Sequence, residues 1–327
     1  MSRKLITIST IMTLMSTSVI ADVPNVAADI APIHSLVSRV MDGVGAPKLI
    51  VQSGASPHGY RLRPSEAKAL QDADHVFWMG EELTPWLDSA IGTLASKASV
   101  TTLLDQQGVI LHDFREGALF EAHDHSAHGD DDHDDHDDHD DHDDHKDHDD
   151  HDDHDDHGSH DPHAWLSPEN AKLWLNIIAS KLSVSDPENA ATYFMNAAAG
   201  QAEIEAMIAE VKATLKPVQG GKFVVFHDAY QYFENDFDFY ASGAISLGDS
   251  SDPSPARIEK VQKRIRDEGI QCVLAEPQFK KGLVATVMEG SDATASIIDP
   301  LGAELETGPK LYTRLIKNMA KTLRNCL

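Results

Sequence analysis

The sequence is poor in cysteine, in long apolar runs and in basic charge. It has two cysteines, Cys272 and Cys326, in 327 residues. That is too few for a disulfide framework or a cysteine-built metal cluster. No stretch of about 20 apolar residues follows the first 21 positions, so the chain beyond them has no segment for stable membrane insertion. Lys and Arg together number 27 against 54 Asp and Glu, for a net charge of −27. A chain of that sign repels the phosphate backbone, which argues against nucleic acid as a partner. No compact metal motif such as HExxH is present either, so any metal site must be assembled from residues far apart in sequence.

The charge is concentrated in one place. The stretch from His123 to His163 holds 14 of the 19 histidines and 20 aspartates, with a single lysine, Lys146. From His133 to His157 the unit His-Asp-Asp recurs every three residues, broken once by Lys146. Almost nothing apolar is available to offset the entropy of ordering, so the segment is expected to be a disordered, solvated loop. Imidazole and carboxylate together are ligands for borderline divalent metals such as zinc. An acidic spacer would not need histidine at every third position.

The N-terminus reads MSRKLITISTIMTLMSTSVIA. Arg3 and Lys4 precede an apolar run, and Val19-Ile20-Ala21 offers a cleavage point, so residues 1–21 read as a secretory signal peptide removed after Ala21. Export places the protein in an oxidising compartment. Cys272 and Cys326 then become candidates for a disulfide, whereas in a cytosolic chain they would be unrelated buried thiols.

About 300 mature residues suffice for two domains. Val26–Ile33 reads as a weak strand, Ser35–Met41 as a helix and Lys48–Gln52 as a short strand leading to Pro57-His58-Gly59-Tyr60. A helix opens at Arg63-Pro64, and Asp74–Met79 is the next strand. Strands and helices alternate, which predicts a parallel sheet wrapped by helices. His75 and His112 fall at strand ends, and His34 opens the first helix and is a candidate for lining a cleft. After the tract, Ser167 is placed to cap a helix at Pro168. Asp186-Pro187-Glu188 begins a long Ala- and Glu-rich helix to about Leu215, which reads as a strut between lobes rather than a core element. Lys222–Phe226 is a strand running into His227. Pro253–Gly269 reads as a helix, Ile270–Ala275 as a strand, Ala295–Ile298 as the last strand and Tyr312–Leu323 as the closing helix. The expected division is an N-terminal α/β lobe over 22–186 that carries the His/Asp loop at 123–160, a linking helix over 187–215, and a C-terminal α/β lobe over 216–327.

Three histidines stand out, His58, His163 and His227, each at a strand exit or helix entrance. In open α/β folds, ligands gather beyond the carboxyl ends of strands. Three neutral imidazoles and one further ligand make a tetrahedral zinc site. Asp299, also at a strand top, is one candidate for the fourth position, and water is the other.

The segments around these residues resemble the periplasmic zinc-binding, ZnuA-type component of bacterial zinc-uptake ABC transporters. They are Gly54-Ala55-Ser56-Pro57-His58-Gly59-Tyr60, Leu62-Arg63-Pro64-Ser65, His163-Ala164-Trp165-Leu166-Ser167-Pro168, Phe226-His227-Asp228-Ala229-Tyr230, Ala275-Glu276-Pro277-Gln278-Phe279 and Asp299-Pro300-Leu301-Gly302. The resemblance spans nearly the whole mature chain, and it extends to a His-rich acidic insert ahead of the second ligand. It implies two Rossmann-like α/β lobes joined by one long helix, with Zn2+ held between them by His58, His163 and His227. It also implies a Cys272–Cys326 disulfide, a monomeric protein, and delivery of zinc to an ABC permease. Some relatives carry an acidic residue directly before the first ligand. Here that residue is Pro57, which cannot coordinate and leaves the fourth position to water or Asp299. Manganese-selective relatives carry a carboxylate where this chain has His227, and a third imidazole favours zinc. Two other functions fit three histidines. One is a zinc hydrolase or hydratase with Glu276 or Asp299 as base. The other is a zinc store uncoupled from transport.

Overall fold

Short apolar runs separated by helix-length segments fold into two four-stranded parallel sheets. The computed structural model describes residues 23–115, 120, 160–246, 248, 253–278 and 281–327. The expected signal peptide, and the His/Asp tract up to residue 159, lie outside the described residues. The first sheet contains β1 (Val26–Ala28), β2 (Lys48–Leu49), β3 (His75–Trp78) and β4 (Ser99–Thr102), in the order β2-β1-β3-β4. Its crossovers run through α1 (Ala31–Val40), α2 (Pro64–Gln71) and α3 (Pro85–Leu94). β1 and β3 are buried along their whole length, as strands covered by helices on both faces must be.

The second sheet repeats the plan. It contains β5 (Phe223–His227), β6 (Ala244–Ser246), β7 (Cys272–Ala275) and β8 (Thr294–Ile297), in the order β6-β5-β7-β8, with every pairing parallel. Its helices are α6 (Gln231–Phe237), α7 (Pro255–Glu268), α8 (Lys281–Met288) and α9 (Leu311–Cys326). In each sheet the chain steps to one side of its first strand and then crosses to the other. The carboxyl ends of β5 and β7 therefore flank a topological switch point, where a crevice forms.

Between the sheets run α4 (Pro168–Ser185), capped by the Ser167 side chain accepting from the Asn170 N–H, and the long α5 (Ala190–Leu215). Helix α5 joins the lobes. It is also core, where its length suggested a strut rather than a core element. Tyr193, Ala197, Gly200, Ile204, Met207, Val211 and Leu215 form one buried stripe at three- and four-residue spacing. The helix packs on α4, α1 and α9. Gly200 marks a close approach: a Cβ there would lie 3.0 Å from Leu175 Cδ1 and 3.1 Å from Arg39 Cγ.

Several boundaries differ from the sequence reading. The first strand stops at Ala28, because α1 opens at Ala31-Pro32. The long helix starts at Ala190, after a 3-10 turn over Pro187–Asn189 that Asp186 caps. His75 stands at the end of a strand as expected, being the first residue of β3. Strand β4 is an addition to the sequence reading, since Ser99–Thr102 contains no apolar run to mark it. Strand β6 is only 3 residues long.

Cys272 at the start of β7 and Cys326 at the end of α9 are disulfide-bonded across 54 residues of sequence. The bond ties the last helix to a central strand. Replacing both cysteines with alanine is expected to lower unfolding free energy by about 2–4 kcal/mol. Urea titration should show this as a lower midpoint. An unchanged midpoint would mean that packing of α9 alone holds it in place.

Candidate metal centre

His227 is the last residue of β5, and Glu276 directly follows the last residue of β7. The switch point therefore sets them side by side. The Nδ1 atom of His227 lies 2.5 Å from Oε1 of Glu276, whose Oε2 accepts from Nε2 of Gln278 at 2.7 Å. Both His227 and Glu276 are buried. A neutral imidazole that donates Nδ1–H to a carboxylate must present its Nε2 lone pair on the other side.

His163 is held in the same way. Oδ1 of Asp161 accepts both its backbone N–H, at 2.9 Å, and its Nδ1–H, at 2.6 Å. Asp161 is itself fixed: its N–H donates to the His112 carbonyl, and its carbonyl accepts from the Tyr232 hydroxyl at 2.7 Å. Burial pushes the Asp161 carboxyl up to about 6, against the pull of the His163 backbone N–H and the Arg115 charge. The two Nε2 atoms face each other at 3.4 Å. With zinc–nitrogen bonds of 2.0–2.1 Å, two ligands of a tetrahedral zinc are about 3.4 Å apart.

His58 completes the group from the loop after β2. Trp86 Nε1 donates to the Pro57 carbonyl at 2.7 Å and fixes that turn. The His58 and His163 ring centroids are 5.5 Å apart. Ligand nitrogens of His58, His163 and His227 all lie within 4.8 Å of one another, the one such cluster among the described residues. His163 and His227 are buried and His58 is half-buried, so the trio opens to solvent on the His58 side.

Asp299 sits at the top of β8, but its carboxylate is engaged in the loop that follows. Oδ1 accepts from the N–H groups of Leu301 and Gly302, and Oδ2 accepts from Ala303 at 2.6 Å. It stands outside the histidine cluster. The loop it shapes carries the Pro300 carbonyl, which accepts from Trp165 Nε1 at 2.8 Å. The three histidines ahead of the tract are placed elsewhere. His34 is buried within α1, with Nε2 3.1 Å from the Pro47 carbonyl, and burial lowers its pKa. His75 contacts Ser185, and the His112 ring meets the Tyr232 ring at a tilt of 48° with centroids 4.6 Å apart.

Asp161 and Glu276 are the residues that sequence reading missed as supports. In the sequence Asp161 is one aspartate among 20, although its place two residues before His163 is a usable signal. Glu276 reads in the sequence as a candidate base for hydrolysis, whereas in the fold its carboxylate orients the His227 ring. The root of the tract adjoins the site as well. Asp113 and His160 form an antiparallel bridge, with His160 Nδ1 at 2.9 Å from Asp113 Oδ1, and His160 leads through Asp161 to His163.

Asp161→Asn is expected to weaken zinc binding by about tenfold or more, since carboxylate partners of ligating histidines typically contribute that much. Competition against a chelator reads this directly. Wild-type affinity in a folded variant would show that Asp161 only shapes the loop.

The family model described as zinc-uptake complex component A, periplasmic, matches residues 26–326. The chain is 49% identical over 304 residues to the high-affinity zinc uptake system protein ZnuA of Brucella abortus, covering 92% of this chain and 91% of that one. It is 45% identical to the protein of the same name from Paracoccus denitrificans, with coverage of 94% and 93%. In fold it is similar to a crystal structure of ZnuA, with a TM-score of 0.71 at 21% identity over 93% of this chain and 99% of that one.

Proposed function

This chain belongs to the family of periplasmic component A of zinc-uptake complexes, and on that premise we propose that His58, His163 and His227 bind the ion it carries. The protein captures Zn2+ outside the cytoplasmic membrane for an ABC-type importer. It is a binding protein for transport and not an enzyme, which removes the hydrolase reading and the uncoupled store. The observation that carries the site assignment is the pair of carboxylate-backed imidazoles facing each other at 3.4 Å, with a third imidazole in reach. Three nitrogen donors suit zinc better than manganese. Water takes the fourth position in this reading, because Pro57 offers no ligand atom and the Asp299 oxygens already accept three backbone N–H groups.

The mature protein starts after Ala21 in this reading and acts as a monomer. No helix among the described residues is long and apolar enough to cross a membrane. Complementation tests the assignment. A strain lacking the chromosomal copy should regain growth in chelator-treated medium when given the wild-type chain. The His58→Ala/His227→Ala variant should not restore growth despite equal periplasmic abundance. Full rescue by that variant would remove these residues from the transport site.

A further inference from the structure

Arg115 lies on the segment between β4 and the His/Asp tract, and its guanidinium reaches across to the second lobe. Nε donates to both carboxylate oxygens of Asp228 at 3.0 Å, and Nη2 also donates to Asp228. Nη1 donates to Oε2 of Glu234 at 2.6 Å, and Nη2 to Oε1 at 3.3 Å. The Phe120 ring covers the guanidinium face at 3.6 Å from its centroid. The planar fork is thus used on two carboxylates at once, a role that a lysine cannot copy. Asp228 and Glu234 are 6% and 1% exposed.

These carboxylates are not scattered. Asp228 directly follows His227, and Glu234 sits on α6 with its N–H bonded to the Tyr230 carbonyl. The same helix holds the other ligand's support. The Tyr232 hydroxyl accepts from the His112 N–H at 3.1 Å and donates to the Asp161 carbonyl. The turn carrying His227 and the loop carrying His163 therefore share α6 as a common base, and Arg115 fastens that base to the segment arriving from the first sheet. None of Arg115, Asp228 or Glu234 belongs to the histidine cluster.

We propose that Arg115 is a positioning residue for zinc capture: its double ion pair with Asp228 and Glu234 holds the β5–α6 turn so that His227 Nε2 meets His163 Nε2 at ligand spacing. This rests on the assignment of the three histidines as the zinc site.

A purely structural role makes a different prediction. Removing one partner of a buried ion network leaves unpaired charge and destabilises, whereas replacing the whole network by neutral groups is often harmless to stability. The test therefore compares Arg115→Met, Arg115→Lys and the triple variant Arg115→Met/Asp228→Asn/Glu234→Gln in the full mature chain. Melting temperature and chelator competition for the tight zinc equivalent are both measured. The triple variant is expected to melt near the wild type yet bind zinc about tenfold more weakly. Arg115→Lys should fall between, because one ammonium cannot span both carboxylates. Wild-type zinc affinity in the triple variant would overturn the proposal, whatever Arg115→Met alone does to folding. His227→Ala, run alongside, separates the two failures. If it keeps the tight equivalent, the site assignment is wrong. If it loses that equivalent while the triple variant binds normally, only the role of Arg115 is wrong.

Discussion

His227→Ala is expected to abolish the tight zinc equivalent while weaker equivalents persist on the His/Asp tract. His227 supplies one of two opposed Nε2 atoms, and it is the only one of the three histidines that ends a strand. Its loss leaves His58 and His163, two imidazoles on loops, and it leaves Glu276 buried without the ring it oriented. Two ligands define no tetrahedron, so the ion keeps extra waters and gains little from preorganisation. The loss should exceed the 10–100-fold typical for removing an outer partner. Calorimetry on a chain lacking 123–157 gives the cleanest reading, because the tract's heats are gone. Retention of one tight equivalent there would exclude His227 as a ligand.

The three histidines proposed as ligands are legible because each stands beside local punctuation. His58 lies between Pro57 and Gly59, His163 precedes a Ser-Pro helix start, and His227 ends an apolar run. Such residues must emerge where the chain leaves an element, and in a parallel sheet those exits share one edge. What holds the ligands was not legible. Glu276 meets His227 only because β7 pairs with β5, and that pairing depends on strand order, which periodicity does not encode. Arg115 finds its partners more than 110 residues away, across a segment whose composition hides any local signal. The burial of the long helix is hidden in the sequence for a related reason. Its stripe is built from Ala, Gly, Met and Tyr as much as from branched aliphatics, so its burial shows only once α4 and α9 flank it.

Removing residues 123–157 is expected to cost several weak zinc equivalents and to spare the tight one. The deletion takes away 12 histidines, yet it leaves in the chain every residue of the contacts described at the root of the tract. Arg115 retains Asp228, Glu234 and the Phe120 ring, and His160 retains Asp113. A cut extended through residue 160 would break the Asp113–His160 bridge beside Asp161 and confuse loss of tract-bound zinc with damage to the site. The remaining tight equivalent should also differ in its response to acid. Metal needs the unprotonated imidazole, so protons compete with zinc wherever a histidine titrates. Solvated histidines do so near 6.5, and neighbouring aspartates favour the imidazolium form and raise that value. Zinc on the tract should therefore fall away as pH drops from 7.5 toward 6. The fixed trio, with two rings already oriented by Glu276 and Asp161, should hold its ion further down. Metal analysis after gel filtration at pH 7.5 and pH 6 measures both effects. In the full chain the bound zinc should decline toward one equivalent over that interval, and in the deletion variant it should stay near one throughout. Equal stoichiometry in the two proteins at pH 7.5 would reduce the tract to an acidic spacer, and its histidines would then need another explanation.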